Sequence, residues 1–228
     1  MRLQAEPLGK IERRRAVDDV HTAIREAILG RRFPAGMRLN VEDLAAQLGV
    51  SLTPVRSAIQ LLAAQGLVDV HSRSGTFVAT LTHRELAETF DIRCALECLA
   101  AENAVAALKD AEIENARKQL SILGRPIRND VQRLAHEQAN SELHQIVIDA
   151  AGNQRLADMY ESLQAHIAMG RLHRADKTWQ LRLPQEHQEH EAIVAAMAAR
   201  DGQALVSALR QHILRAKTVM LDSMAAVE

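Results

Sequence analysis

Three polar side chains lie one helical turn apart in the stretch HEQANSELHQIVIDAAGN, residues 136–153. They are His136, Asn140 and His144, and their spacing of four places them on one line of a helix that ends at Gly152. Neutral imidazole is a common metal ligand, and histidines also bind anions. The line therefore has three interpretations: a metal or ligand site, packed polar residues of a core, or part of an enzyme active site.

Two further histidines occupy inward positions on later helices. His190 shares its helix line with three apolar residues, and His212 does the same on the last helix. His144 also faces inward, since its line continues to Val147 and Ala151. A single inward histidine is ordinarily a hydrogen-bonded core residue. Three of them on three helices indicate a shared site, because the interior of a helical bundle is where such helices converge.

An inward arginine is the other unusual feature. Arg93 and Glu97 lie on one face of a long helix, among leucine, phenylalanine and alanine. A buried guanidinium is costly unless it is paired or faces an anionic ligand. Arg93 is therefore either the partner of Glu97 in a structural pair or a group that faces a ligand anion.

Composition decides which elements can position these residues. The 228 residues are 47% hydrophobic but only 2% aromatic, so the cores consist of aliphatic residues, which favours helices. No apolar run reaches the roughly 18 residues of a membrane span, and the polar N-terminus has no signal-peptide core. Cys94 and Cys98, one helical turn apart, are interpreted as small core residues. We expect a cytoplasmic protein.

The first 80 residues predict three short helices and a hairpin. Apolar residues from Val17 to Leu29 have helical spacing, and RRFPAGMRL follows as an extended turn. VEDLAAQLG forms a second helix after Asn40, and a third, capped by Ser51 or Thr53, runs to Gly66. LVDVHSRSGTFVAT then alternates like two strands around a Ser-Gly turn, the only β pattern found. This order predicts a winged helix-turn-helix domain at 18–80, after an N-terminal arm at 1–17.

The remainder, 81–228, is predicted to be an all-helical domain, so the fold class is mainly α. Breaks at Gly and Pro residues separate the segments 83–108, 110–122, 126–150, 153–177, 184–200 and 202–222. The charge is also uneven between the two parts. Residues 1–80 contain 11 Lys/Arg and 8 Asp/Glu, whereas the remainder contains 17 and 21. A mildly basic first domain indicates an anionic partner.

The residues of the first domain resemble a known family. The matching pieces are I-x3-I-x-G at 24–30, G-x-R-L at 36–39, LAAQLGVSLTPVRSAIQLLAAQGLV at 44–68 and RSGTFV at 73–78. Together they resemble the DNA-binding domain of the GntR family of bacterial transcription regulators. The resemblance implies that the third helix enters the major groove of DNA and that the hairpin is the wing.

Five residues are predicted DNA contacts. Ser51 and Thr53 can bring hydroxyl and N–H groups to phosphate, and Arg56 can bind O6 and N7 of guanine. Arg73 and Gly75 lie at the wing tip, where a glycine permits close approach to DNA. One position departs from the family pattern S-R-T-P-V-R, since Leu52 stands in place of the arginine. Leu52 removes a charge, and it can instead contact a thymine methyl group.

The helical remainder resembles the FCD-type effector domain of the FadR-like subgroup. The resemblance is carried by DIRCALECLAAENA (91–104), NSELHQIVIDAAGN (140–153), EHEAIVAAMAARD (189–201) and ALRQH (208–212). It implies a divalent metal, Zn²⁺ or Ni²⁺, held by Asn140, His144, His190 and His212, and an effector carboxylate held by Arg93. Asn140 stands where metal-binding members have an aspartate, so the oxygen ligand here is uncharged. Direct binding of an anionic effector by the three histidines is the alternative. His136, one turn before Asn140, is expected at the surface, with a position behind the metal ligands as the other possibility, and His187 is interpreted as peripheral.

These features predict a homodimeric regulator that binds an inverted repeat in double-stranded DNA and releases it, as a repressor, when a small organic acid binds. Such a protein is bacterial and cytoplasmic, and it associates with the nucleoid when bound to DNA. An architectural DNA binder without a ligand switch is a second possibility. A helical metalloenzyme is a third, but the E-x-x-H pattern of di-iron bundles and the zincin H-E-x-x-H pattern are both absent. We therefore expect no enzyme activity.

Overall fold

The computed structural model describes residues 14–30, 32–172 and 182–225. The chain divides into two compact units, Met1–Thr80 and Leu81–Glu228. None of the described helices is long and apolar enough to cross a membrane. The elements of the first unit are α1 (Arg14–Leu29), β1 (Arg38–Leu39), α2 (Val41–Leu48), α3 (Leu52–Ala64), β2 (Val68–His71) and β3 (Gly75–Val78).

The first unit packs α3 against α1 and α2, with a small sheet beside it. Asn40 caps α2 by accepting a hydrogen bond from the backbone N–H of Glu42 at 2.9 Å. Gly49 ends α2 in the left-handed conformation, with a φ of 66°, which turns the chain into α3. The buried face of α3 is apolar, so the opposite face is left to solvent. The predicted helix-turn-helix with a wing is confirmed.

The sheet has one strand more than the sequence pattern predicted. β3 pairs with β2 as the expected hairpin, with Val68 opposite Val78. On its other edge β3 pairs with β1, where Arg38 lies opposite Phe77. The interpretation of RRFPAGMRL as an extended turn was therefore wrong for Arg38–Leu39. A strand of two residues is too short for an alternating pattern, and only the pairing with β3 defines it.

The second unit is helical throughout its described residues. A capping box starts the first helix: Thr82 accepts a hydrogen bond from the N–H of Glu85, whose carboxylate accepts one from the N–H of Thr82. The helices are α4 (His83–Ala107), α5 (Asp110–Leu123), α6 (Asp130–Ala150), α7 (Gln154–Leu172), α8 (Leu183–Ala199) and α9 (Gly202–Ala225). α4 lies centrally and packs against α6, α7 and α9, while α8 packs against α5 and α9.

Most of the predicted helix limits agree with the structure to within three residues. The largest difference is at α6, predicted to start at 126, which begins at Asp130 because Asn129 caps it by accepting from the N–H of Gln132. Residues 173–177 of the predicted fourth segment lie outside the described residues.

Arg200 fixes the corner between α8 and α9. It has a φ of 53°, unusual for a residue with a side chain. Its guanidinium donates to the carbonyl oxygen of Leu108 at 2.5 Å and to the carboxylate of Asp110 at 3.1 Å. These bonds tie the α8–α9 corner to the α4–α5 corner, and so hold two histidine-bearing helices in place.

Candidate functional site

The three predicted histidines meet in the interior of the second unit. His144 comes from α6, His190 from α8 and His212 from α9, and these residues are at most 2% exposed. The ring centroid of His190 lies 4.5 Å from that of His212 and 6.0 Å from that of His144. One ligand atom from each ring lies within 4.8 Å of the others. The convergence that the family resemblance implied is therefore present.

Two carboxylates orient two of these rings. The Nδ1 atom of His144 lies 2.5 Å from Oε2 of Glu97, and the Nδ1 atom of His212 lies 2.9 Å from Oε2 of Glu189. A carboxylate on Nδ1 fixes the ring orientation and the tautomer that presents Nε2 as a lone pair. This is the usual outer environment of metal-ligating histidines.

Each of these two carboxylates, Glu97 and Glu189, also accepts a hydrogen bond from an arginine. Arg93 donates from Nε to Oε1 of Glu97 at 2.6 Å, and Arg215 donates from Nε to Oε1 of Glu189. The hydroxyl of Tyr160 also donates to Glu97, at 3.1 Å. Burial raises the pKa of Glu97, but Arg93 and His144 more than offset this and hold it well below 4.5. Glu97 is thus ionised, and the structural Arg93–Glu97 pair considered from the sequence exists.

Buried polar atoms without hydrogen-bond partners mark the centre of the cluster. Both ring nitrogens of His190 and the side-chain oxygen of Asn140 make no hydrogen bond among the described residues. Buried polar atoms are nearly always paired, so these unpaired atoms are available as donors to a ligand. Burial and the neighbouring imidazoles lower the pKa values of His190 and His212. These two rings are therefore neutral, and a set of imidazole nitrogens with an amide oxygen fits Zn²⁺ or Ni²⁺.

A cavity of about 20 Å³ adjoins the cluster. Its lining includes Arg93, Asn140 and His212, which the sequence had assigned to the effector and metal sites. Glu186 and Arg215 add further charges to the same wall. The volume is enough for about one water molecule. A larger ligand needs the wall to open.

The environment of His136 differs from the prediction. The sequence favoured a surface position, but the side chain is only 7% exposed. It lies one turn before Asn140, close enough to His190 to add to the lowering of the pKa of that ring. His187, interpreted as peripheral, has a side chain 30% exposed and lies 3.5 Å from Glu191.

The five predicted DNA-contact residues all lie at the surface of the first unit. Ser51 is the N-cap of α3, and its hydroxyl makes no capping hydrogen bond. Thr53 and Arg56 are exposed on the face of α3 opposite its apolar side. Arg73 is exposed in the turn between β2 and β3. Gly75 begins β3 with a φ of 113°, which side chains rarely adopt.

The sequence patterns missed three residues that the structure places at the two sites, namely Glu189, Tyr160 and Arg38. Glu189 and Tyr160 were not assigned roles, since their partners are 23 and 63 residues distant in the chain. Arg38 was not considered either, although its guanidinium lies against Gly75 at the wing. Leu52, which departs from the family pattern, is 37% exposed at the start of α3. Of the two carboxylates that orient the histidine rings, only Glu97 was recognisable from the sequence, by its inward position on the helix.

Comparison with known proteins is consistent with this architecture. Residues 16–78 match the family of bacterial regulatory proteins named gntR, and residues 88–215 match the FCD domain. The solved structure of Escherichia coli McbR/YncC has a TM-score of 0.77 at 21% identity, and covers 91% of this chain and 97% of that one. A GntR transcriptional regulator from Rhodococcus sp. RHA1 gives the same TM-score and identity, with 90% and 97% covered. These two show the shared fold.

Relatives with similar sequences are named as transcription regulators. The HTH-type regulator YdhC of Bacillus subtilis is 27% identical over 194 residues, or 85% of this chain and 84% of YdhC. A probable D-xylose utilization operon transcriptional repressor of Paenarthrobacter nicotinovorans is 31% identical over 182 residues, or 80% of this chain and 78% of the relative. None of these names describes an enzyme, which agrees with our expectation. The chain belongs to the GntR family of DNA-binding bacterial transcription regulators, and its C-terminal unit is an FCD domain.

Proposed function

We propose that this regulator is a repressor whose affinity for its operator is set by a small carboxylate bound next to a divalent metal in the FCD domain. The observation that carries the proposal is the buried cluster of His144, His190 and His212, whose outer carboxylates are already in place. A purely architectural DNA binder has no use for such a cluster. The names of several relatives include the word repressor, which supports the proposed direction of control.

The metal would be held by the three histidines, with the oxygen of Asn140 as a weak fourth ligand. When bound, it would supply a positive charge that attracts an anionic oxygen. Arg93 would hold the carboxylate of the effector, since a guanidinium has five N–H donors and Glu97 accepts from Nε alone. Arg93, Asn140 and His212 line one cavity, which supports a joint site.

The proposed control of DNA affinity by the effector follows from thermodynamic linkage between the two binding sites. An effector changes affinity for DNA only if it binds two arrangements of the protein unequally, and DNA then changes affinity for the effector by the same factor. The cavity of about 20 Å³ accepts little more than a water molecule. Binding of an organic acid must therefore move parts of its wall, namely α4, α6, α8 and α9.

The effector experiment uses the metal-loaded protein and DNA from its own upstream region. Small mono-, di- and tricarboxylates are titrated while binding to this DNA is followed by fluorescence anisotropy. At least one acid is expected to weaken binding about fivefold to 150-fold, the usual range of allosteric coupling. An Arg93→Lys variant keeps a positive charge beside Glu97 but loses the planar guanidinium, so it should bind the DNA normally and lose most of the response. If no carboxylate changes the affinity, the chain is an unswitched DNA binder.

Asn140→Asp is expected to tighten metal binding. The variant places a carboxylate one turn before His144, where the oxygen of Asn140 has no hydrogen-bond partner among the described residues. A unit charge about 4 Å from another contributes about 4 kcal/mol at an intermediate dielectric constant, and desolvation offsets part of it. We expect roughly a tenfold gain in Zn²⁺ affinity or more, measured by competition with a chelator. The exposed Asn103→Asp variant is the control, and equal affinities in both variants would contradict the assignment of Asn140.

We further propose that two copies associate through an exposed groove between α4 and α9. Ile92 and Leu99, seven residues apart on α4, are 47% and 46% exposed, and Leu214 on α9 is 42% exposed. Glu102 and Arg210 line the groove with opposite charges, so a two-fold-related copy would present a complementary surface. Leu99→Glu is expected to give monomers in light scattering, whereas Leu134→Glu on α6 should not. A monomeric wild-type protein would refute the dimer.

A further inference from the structure

The sheet of the first unit contains an arginine, Arg38, whose strand was not predicted and which is not among the predicted DNA contacts. Arg38 is in the edge strand β1, opposite Phe77 of β3. Side chains alternate along a strand, so Arg38, Phe77 and Gly75 belong to one face of the sheet. Arg38 extends diagonally along this face toward the wing tip and reaches Gly75.

Gly75 provides the space for this guanidinium. A Cβ atom at position 75 would lie 3.1 Å from Nε, 3.4 Å from Nη2 and 3.7 Å from Cζ of Arg38. All three nearest atoms belong to the guanidinium, and the first contact is tighter than most carbon contacts tolerate. The absence of a side chain at Gly75 therefore permits Arg38 to lie flat against the backbone at the base of the wing tip.

The charge of Arg38 is not neutralised by any carboxylate of the described residues. Among the described residues, no carboxylate lies within 4.0 Å of it. Asp69 belongs to the same face, since it pairs with Phe77, but it is two strands away. Two strand spacings are about 9.5 Å, and the guanidinium of Arg38 is directed to Gly75 and not across β3 to Asp69. Arg38 is also exposed, so its guanidinium is available to an external anion.

We propose that Arg38 is a DNA-backbone contact, and that Gly75 positions it there. Arg38 then forms, with the exposed Arg73 of the turn, a pair of cations at the two sides of the wing tip. A guanidinium binds phosphate with two parallel hydrogen bonds, which suits a contact that sets register rather than reads sequence. Gly75 acts through Arg38 in this proposal, whereas the sequence alone suggested that it brings the backbone itself close to DNA.

The alternative is that Arg38 has no contact with DNA and only prevents the exposed edge strand from pairing with another sheet. Charged residues on edge strands commonly prevent pairing with another sheet. That role requires no affinity for DNA, so DNA binding distinguishes the two. The proposal uses only the DNA-binding activity, and it does not depend on the metal or the effector.

The first experiment measures binding of the full chain to upstream DNA and to an unrelated duplex of equal length across a range of salt concentrations. Arg38→Gln should weaken both complexes equally, by about fivefold to tenfold for each bound subunit near 0.1 M salt, and reduce the slope of log K against log salt by about 0.9 for each bound subunit. Arg38→Lys should keep the slope. Arg117→Gln, an exposed arginine on α5, is the control and should change nothing. An unchanged slope in Arg38→Gln, or a loss limited to one DNA sequence, would overturn the proposal.

The second experiment is a double-mutant cycle with Gly75→Ala. If Gly75 acts by positioning Arg38, Gly75→Ala should weaken DNA binding in the wild-type background and have almost no further effect in Arg38→Gln. If Gly75 instead approaches DNA directly, the two losses multiply, and the positioning role is wrong. Because the φ of 113° also strains an alanine, thermal melting of each variant must first show an intact fold. If Gly75→Ala unfolds the unit, the salt slopes of Arg38→Gln and Arg38→Lys alone decide whether Arg38 contacts the DNA backbone.

Discussion

Glu97→Ala is expected to lower the free energy of unfolding by about 3 to 5 kcal/mol, the usual loss when one partner of a buried ion pair is removed. The substitution leaves the guanidinium of Arg93, which is 2% exposed, without its nearest carboxylate. It also removes the acceptor for Tyr160 and the carboxylate beside His144. Urea denaturation of the metal-free protein, with a chelator present, measures the effect without a contribution from bound metal.

Two control variants separate the charge effect from simple loss of contacts. Arg93→Met combined with Glu97→Leu removes both charges and should be more stable than Glu97→Ala, although it carries one more substitution. Tyr160→Phe removes one hydrogen bond and should cost about 1 kcal/mol. A double variant no more stable than Glu97→Ala would show that the buried arginine is not the source of the loss.

His190→Leu is expected to abolish stoichiometric metal binding while preserving the fold. Neither ring nitrogen of His190 has a hydrogen-bond partner among the described residues, so a leucine of similar size leaves no such group unpaired. Outer residues of metal sites typically change affinity by 10- to 100-fold, and a direct ligand should cost at least about 100-fold. In the wild type, Zn²⁺ at about 100 times its dissociation constant should raise the free energy of unfolding by about 2.7 kcal/mol.

The matched control is His187→Leu, three residues earlier on α8. The side chain of His187 is 30% exposed and lies near Glu191, outside the cluster. This variant should keep both the metal and the stabilisation by Zn²⁺. If His190→Leu is stabilised by Zn²⁺ as much as His187→Leu, the three histidines are core residues and the metal assignment fails. Elemental analysis of protein purified without an affinity tag gives an independent measure.

The sequence predicted the helices and their inward faces because both depend on local spacing. The inward positions of His144, His190 and His212 follow from the 3.6-residue period alone. Their convergence in one cluster came from the family resemblance. The orientation of His144 by Glu97 joins residues 47 positions apart, and no local pattern reports such a pairing.

The two errors also have physical reasons. His136 was expected at the surface because the family resemblance starts the ligand set at Asn140, one turn later. Its line on α6 continues to Asn140 and His144, so it is buried with them. β1 was missed because a strand of two residues is defined only by its partner, β3. The local sequence pattern therefore predicts which side of a helix or strand is buried. It does not predict which residues of other helices or strands pack against that side.

The unpaired amide oxygen of Asn140 also has an evolutionary consequence. The codons for asparagine and aspartate differ only in their first base, so a single A-to-G transition replaces the uncharged oxygen with a charged one. That change would alter the charge of the cluster without touching its histidines or α3. A bacterial lineage could thus change the proposed metal affinity of this regulator in one mutational step and keep the same operator.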